Sequence, residues 1–221
     1  MKQKVHLVTN SDFNTWDISK LNLLVGEWCN IYTKKNETNK YNYEILVPKN
    51  NLPDIKEKNY LEVNKIENEL FNEIYIKLNE FHNTNLTSRS WRIIIGHWLK
   101  RYVNSLYNRV KTIENCIKDY EITSYYSYSK NNYQFCSNDS YSAIWKFNDD
   151  ELNNILYGLI LKEYMIDCTK TLSIKSNIIN NNLKTCFHVS KIRERCSLLF
   201  FQNHSFSISN KENILDVKRR V

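Results

Sequence analysis

The 221-residue chain carries 31 basic and 24 acidic residues, a formal net charge of +7, and is 42% hydrophobic and 13% aromatic. That length and apolar share suit one large domain or one and a half small ones, and the charge favours anionic partners: nucleic acid, phosphorylated metabolites, nucleotide sugars or an acidic membrane surface. The six cysteines include no C-x-x-C pair, the N-terminus shows no apolar signal core, and no run approaches about eighteen apolar residues; a zinc site, a disulfide framework, a secretory signal and a membrane span are therefore unsupported, and a cytoplasmic protein with free thiols is the simplest reading.

In chain order, 12–19 reads as a loop holding Trp16. Residues 21–25, Leu-Asn-Leu-Leu-Val, form a short apolar run closed by Gly26, the pattern of a buried strand followed by a tight turn. Residues 36–59 are polar, contain both prolines, and read as an irregular surface segment with a short strand at 43–47. Over 60–81, Val63, Ile66, Leu70, Ile74, Leu78 and Phe81 recur at intervals of three or four, as on an amphipathic helix. Thr87 or Ser88 caps a second helix over about 89–117. The Asp149-Asp150 pair opens a third, through Leu152, Ile155, Leu156, Leu159, Ile160 and Tyr164. The stretch 122–138, rich in Tyr, Ser and Asn, reads as loop with a short strand; 169–195 is ambiguous, and 197–202 suits a strand. There is no internal repeat. The chain stops at Lys218-Arg219-Arg220-Val221 without a turn that closes a domain, which reads as a truncated or split protein.

Glycine occurs three times. A chain this poor in glycine keeps one where the backbone needs φ > 0 or a close approach. Two of the three lie in segments that look built for chemistry. In Leu23-Leu24-Val25-Gly26-Glu27-Trp28-Cys29, Glu27 falls on the turn after a strand, at the edge where open α/β sheets bind ligands, with Trp28 as a wall. A carboxylate partly desolvated beside an indole is pushed toward proton uptake, which suits a general base or acid. The same residues equally describe a capping glutamate with Trp28 and Cys29 facing the core.

The second segment lies in a stretch, 83–113, that has no acidic residue but six basic ones: Arg89, Arg92, Lys100, Arg101, Arg109 and Lys111. On a helix, Trp91, Ile95, Trp98, Leu99, Tyr102 and Leu106 share a core face. Arg89, Gly96 and Lys100 fall together on the other side, with His97 nearby and Arg92 at the boundary. A mid-helix glycine costs roughly 1 kcal/mol relative to alanine, so Gly96 signals close packing or room for a ligand. Arginine forks suit phosphate, and a histidine such as His97 suits proton exchange; solvated helix charges, with His97 bonded to a carbonyl, are the alternative. Tyr125-Tyr126-Ser127-Tyr128 reads as a stacking platform for bases or sugars, or as chain packed over a core. No nucleophile triad, P-loop, Gly-x-Gly-x-x-Gly or metal-ligand set is present, so no cofactor and no metal are expected. Gly158, in the leucine-rich third helix, has only a packing explanation.

Taken together, Leu24-Val25-Gly26-Glu27-Trp28-Cys29 with Ile31-Tyr32, and some sixty residues later Ser90-Trp91-Arg92-Ile93-Ile94-Ile95-Gly96 with Trp98-Leu99, resemble the N-terminal region of a family of transferases from surface-carbohydrate (O-antigen type) biosynthesis. Where that family usually has a residue such as proline before the last tryptophan, this chain has His97. The resemblance implies a Rossmann-like, helix-rich α/β domain, 1–221, forming the acceptor side of a two-domain glycosyltransferase-like architecture whose C-terminal half is absent. It implies Glu27 as catalytic base, and Gly26, Trp28, Arg89, Arg92, Gly96 and His97 around the substrate. The implied partners are a nucleotide-activated sugar donor, a carbohydrate or lipid-linked acceptor, a separate C-terminal half and peripheral contact with an anionic membrane; nucleic acid is disfavoured. The competing readings are a non-enzymatic basic module, binding nucleic acid or anionic lipid through Arg101, Arg109 and Lys111, and an inactive fragment. If the transferase reading holds, Glu27 and Arg92 should line one cleft.

Overall fold

The computed structural model describes residues 2–31, 38–47, 53–129, 143 and 146–173. Its elements run β1 (Gln3–Val8), a 3-10 turn (Phe13–Thr15), β2 (Asn22–Leu24), α1 (Trp28–Ile31), β3 (Tyr43–Ile45), α2 (Pro53–His82), α3 (Ser88–Asp119), β4 (Tyr120–Tyr128), α4 (Asp150–Glu163) and β5 (Lys170–Leu172). The five strands pair in parallel in the order β3-β2-β1-β4-β5. The chain is thus an α/β protein with a Rossmann-like parallel sheet.

The central strand β1 received no assignment from sequence, yet its Val5 to Val8 segment is buried throughout. A parallel strand covered on both faces reads as a near-continuous buried run, without the alternation that marks a half-exposed strand. On one face, Val5, Leu7, Leu23 and Tyr125 join the main core with Leu99, Val103, Val110 and Tyr157 from α3 and α4. The other face holds a polar layer: His6, in register with Asn22 and Ser124, lies beneath the 3-10 turn. The aromatic rings of Phe13, Trp16, Tyr41 and Tyr43 pack together beside it.

His6 is fully buried. One ring nitrogen lies 2.8 Å from the Thr15 carbonyl and the other 2.8 Å from Ser124 Oγ. The first must donate, so the second accepts from the serine hydroxyl. Lys20 Nζ in turn donates to Ser124 Oγ at 2.8 Å. Burial lowers the His6 pKa below 6.5, against the raising effect of the Thr15 carbonyl. The folded state therefore disfavours the charged ring, and the unfolded chain takes up the proton first. The stability that His6 contributes is fully present well above pH 6.5 and is lost over the pH interval below that value. Urea titrations across that interval should show the loss in the native protein and a flatter response in His6→Gln.

The helices have readable ends. Pro53 opens α2, where its missing N–H costs nothing and its φ is pre-set, and Asp54 supports the first turn. Helix therefore occupies 53–59, within the stretch expected to be irregular over 36–59, while β3 falls within the expected strand. Asn83, at φ 52°, closes α2. Asn79 then fastens the α2–α3 connection. Its amide donates to Leu86 O, and its carbonyl oxygen accepts from Leu86 N and Trp91 Nε1, all within 3.0 Å. Thr87 caps α3 and Asp149 caps α4 through Leu152 N at 2.7 Å.

The short strand expected within 122–138 is the nine-residue β4, which starts two residues earlier and runs through the tyrosine cluster; 130–138 lies outside the described residues. Tyrosine and threonine are good strand formers, and the polar character that suggested a loop is satisfied within the fold. Tyr125 OH reaches Gly158 O at 3.4 Å, Tyr126 OH reaches Asp17 Oδ2 at 3.2 Å, and Tyr128 OH donates to Asp12. These tyrosines pack and cross-link; burial raises the Tyr125 pKa to about 12. Gly158 is explained by packing: a Cβ there would stand 2.7 Å from Ser127 Oγ, so it lets α4 lie close on β4. The ambiguous stretch 169–195 contributes β5, and the rest of it, with the strand expected at 197–202, lies outside the described residues. Among the described residues, no helix is long and apolar enough to cross a membrane.

Candidate functional site

A cavity of about 1150 Å3 opens beyond the carboxyl ends of β2 and β3, walled by α2 and α3. That exceeds the roughly 300–1,000 Å3 of ordinary small-molecule pockets. The turn after β2 supplies Val25, Gly26, Glu27 and Trp28, and the end of β3 supplies Ile45 to Val47. From α2 come Lys56, Asn59, Tyr60 and Val63. From α3 comes a polar stripe at helical spacing: His97, Lys100, Arg101, Asn104, Asn108, Thr112 and Asn115.

The backbone places Glu27 where the strand ends. Val25 N donates to Val8 O at 3.0 Å and Leu46 N to Leu24 O at 2.8 Å, so the sheet holds its register up to the turn. Asn30 N then donates to Glu27 O at 2.9 Å, starting α1, and Asn30 Nδ2 reaches Tyr43 OH at 3.0 Å. Glu27 is solvent-exposed and Trp28 is 40% exposed. The indole folds back over the turn: a Cβ on Gly26 would fall 1.9 Å from the Trp28 ring. Gly26 is not at positive φ, so close approach alone explains it.

The cavity wall is cationic. Lys100 Nζ lies 5.4 Å from the Tyr60 ring centroid. Among the described residues, Lys56, Lys100 and Arg101 have no carboxylate partner. Their charges are therefore available to an anion entering beside Glu27.

Of the other predicted site residues, Arg89, Arg92 and Gly96 lie outside the cavity lining. Arg92 and Glu27 do not share the cleft. The Arg92 guanidinium is ion-paired with the buried Glu67, donates to Asn68 Oδ1 at 2.9 Å, and lies 3.7 Å over the Phe71 ring. Gly96 serves that arrangement, since a Cβ there would meet Arg92 Cδ at 2.8 Å. Arg89 is exposed on the first turn of α3, outside the cavity lining. His97 lines the cavity and is exposed. Of the three cations assigned to a nucleic-acid or lipid module, only Arg101 is uncommitted. Arg109 is enclosed, donating to Asn153 Oδ1 at 3.0 Å and to the Ser105 and Phe147 carbonyls, while Lys111 pairs with Glu114 at 3.0 Å.

Cys29 follows the motif but is buried, its Sγ facing the Val8 carbonyl at 3.7 Å. Burial pushes its thiol up to about 12, and does the same to Cys116. Neither is a thiolate nucleophile at neutral pH. Iodoacetamide should leave both unmodified in the native protein and label both after denaturation, as peptide mass spectrometry would read. Because the folded thiols ionise later than the unfolded ones, their contribution to stability is complete below pH 9.0 and is lost as the pH climbs toward 12.

In open parallel sheets the usual ligand crevice lies where strand order reverses, here between β1 and β4. Side chains bridge that crevice. Ser11 donates to Asp150, Tyr128 to Asp12, and Asn154 Nδ2 to Thr9 Oγ1 at 2.9 Å, while Tyr128 N donates to Asn154 Oδ1 at 2.7 Å. The open space lies one strand away, on the β2–β3 side. Among the described residues there is no cluster of three His, Cys, Asp or Glu side chains able to hold a metal ion.

The parallel α/β sheet thus places an acid at a strand end beside a cationic cavity wall. The model of the LIC12162 family transferases matches residues 5–219, and the chain belongs to that family. No curated protein and no solved structure matches it. Family membership implies a donor and an acceptor substrate.

Proposed function

We propose that the protein transfers a sugar from a nucleotide-activated donor to a carbohydrate or lipid-linked acceptor in surface-polysaccharide assembly. The observation that carries this reading is Glu27, on the turn after β2, opening into the same cavity as Lys56, Lys100 and Arg101. Glu27 takes the proton from the acceptor hydroxyl as that oxygen attacks the anomeric carbon. The bond from that carbon to the donor phosphate breaks, and the nucleoside diphosphate leaves with the electron pair. The cations stabilise the charge that grows on it. Gly26 and Trp28 shape the floor beside the reacting atoms, and His97 stands on the α3 wall. Anion binding passes from Arg89 and Arg92, the expectation from sequence, to the three cations of the wall. In this reading the described sheet forms the acceptor side of a two-domain enzyme, with a second domain binding the donor nucleotide.

The test is incorporation of radiolabel from a panel of nucleotide sugars into lipid and polysaccharide fractions, using the full-length gene product. Label in either fraction, dependent on the protein, supports the reading; none with any donor overturns it.

A further inference from the structure

We propose that the outer face of α3 docks the protein on an anionic lipid bilayer, with Ile93 and Ile94 inserted and Lys100 and Arg101 against the headgroup phosphates. The two isoleucines are adjacent on the helix and 77% and 60% exposed. They point away from the side of α3 that packs through Trp91, Leu99 and Val103. The next two turns of the same outer face carry His97, Lys100 and Arg101, all exposed. One helical face thus passes from apolar to cationic along its length, and the cationic part borders the cavity.

Charge selects the occupant. No acidic residue occurs from Asn83 to Ile113, so nothing on this part of α3 opposes an anionic surface. A second copy meeting the face by two-fold symmetry would gather Lys100 and Arg101 of both copies in one seam, with no carboxylate from 83–113 to offset them. Lysine and arginine near an anionic membrane add attraction, and a few inserted apolar side chains convert it into binding. The support beneath is firm: Asn79 ties Leu86 and Trp91 together at the hairpin tip, and Arg92 anchors the same turn of α3 to α2. Docking in this pose brings the cavity mouth to the bilayer. The inference stands whether or not the transferred group is a sugar.

Co-sedimentation with vesicles tests it, using phosphatidylcholine alone and phosphatidylcholine mixed equally with phosphatidylglycerol. The wild type should pellet with the mixed vesicles and not with the neutral ones, and raised salt should weaken this roughly 10-fold. Ile93→Ser with Ile94→Ser should weaken binding by about 10-fold with an unchanged melting curve, because both side chains are exposed. Ile93→Leu with Ile94→Leu should bind like the wild type. Equal pelleting by the serine variant, equal pelleting on neutral vesicles, or no pelleting overturns the proposal. So does a dimer seen by light scattering that the serine variant abolishes, since the face would then be an interface between copies.

Discussion

Glu27→Gln is expected to cut transfer by roughly 10²- to 10⁴-fold, the usual contribution of a positioned general base. The amide keeps the size and hydrogen-bonding reach of the carboxylate but takes up no proton. Because Glu27 is exposed and its turn is held by backbone hydrogen bonds, the variant should fold and melt like the wild type. The loss should fall on kcat, with KM for the donor within a few-fold of normal. A strong nucleophile added in place of the acceptor should recover part of the rate, because it needs no base. Full activity in Glu27→Gln would remove the residue from the chemistry and leave it as an exposed turn residue.

The second large effect is structural. Arg92→Ala should destabilise the protein by about 2–4 kcal/mol, because the Glu67 carboxylate would stay buried without its counter-charge. The Glu67 side chain is only 7% exposed, and the alanine would also strip the guanidinium from the Phe71 ring. Changing Glu67 to Gln first should make the later loss of Arg92 much less costly; urea unfolding of the four proteins gives the coupling directly. Arg92→Lys should recover only part of the loss, since an ammonium cannot span Glu67 and Asn68 while lying flat on an aromatic ring. Kinetics of the folded fraction decide the rest. An unchanged KM agrees with Arg92 standing outside the cavity, whereas a raised KM with intact stability would return it to substrate binding.

The α2, α3 and α4 helices were legible because their apolar spacing and caps are local signals, except at 53–59, where Pro53 opens α2 but reads in sequence as part of an irregular segment. Strand β2 was legible as an apolar run ended by glycine. Strand β1 was not, because a central parallel strand carries no alternation, and its His6 interrupts the apolar run with a polar group satisfied by Thr15 in the following turn and by Ser124 on β4, remote in sequence. The extent of strand β4 was not legible, because tyrosine and serine look like loop until their partners, Asp17, Asp12 and Asn154, are in place.

The site shows the same division. The Gly26-Glu27-Trp28 turn could be found from sequence because strand, glycine and acid are contiguous. The wall opposite could not be resolved. Asn104, Asn108 and Asn115 recur with His97 and Arg101 at helical spacing on one stripe of α3, but asparagine is so common in this chain that the stripe carried no weight. Arg92 and Arg101 are indistinguishable by type in a stretch, 83–113, without acidic residues. Only the position of Glu67 on α2 decides that one is neutralised and the other is available.

The contact between Gly26 and the Trp28 ring orders the routes by which this turn can change in descent. A side chain at 26 has no room while the indole lies over it, so a substitution there must either swing the Trp28 ring outward or follow a change at 28. A lineage that keeps the indole folded over the turn keeps the glycine beneath it. Position 27, pointing outward, is under no such steric bond and can drift freely unless its chemistry is needed. Sequences that retain the glutamate while exchanging the neighbouring pair would therefore be evidence of selection on the carboxylate itself.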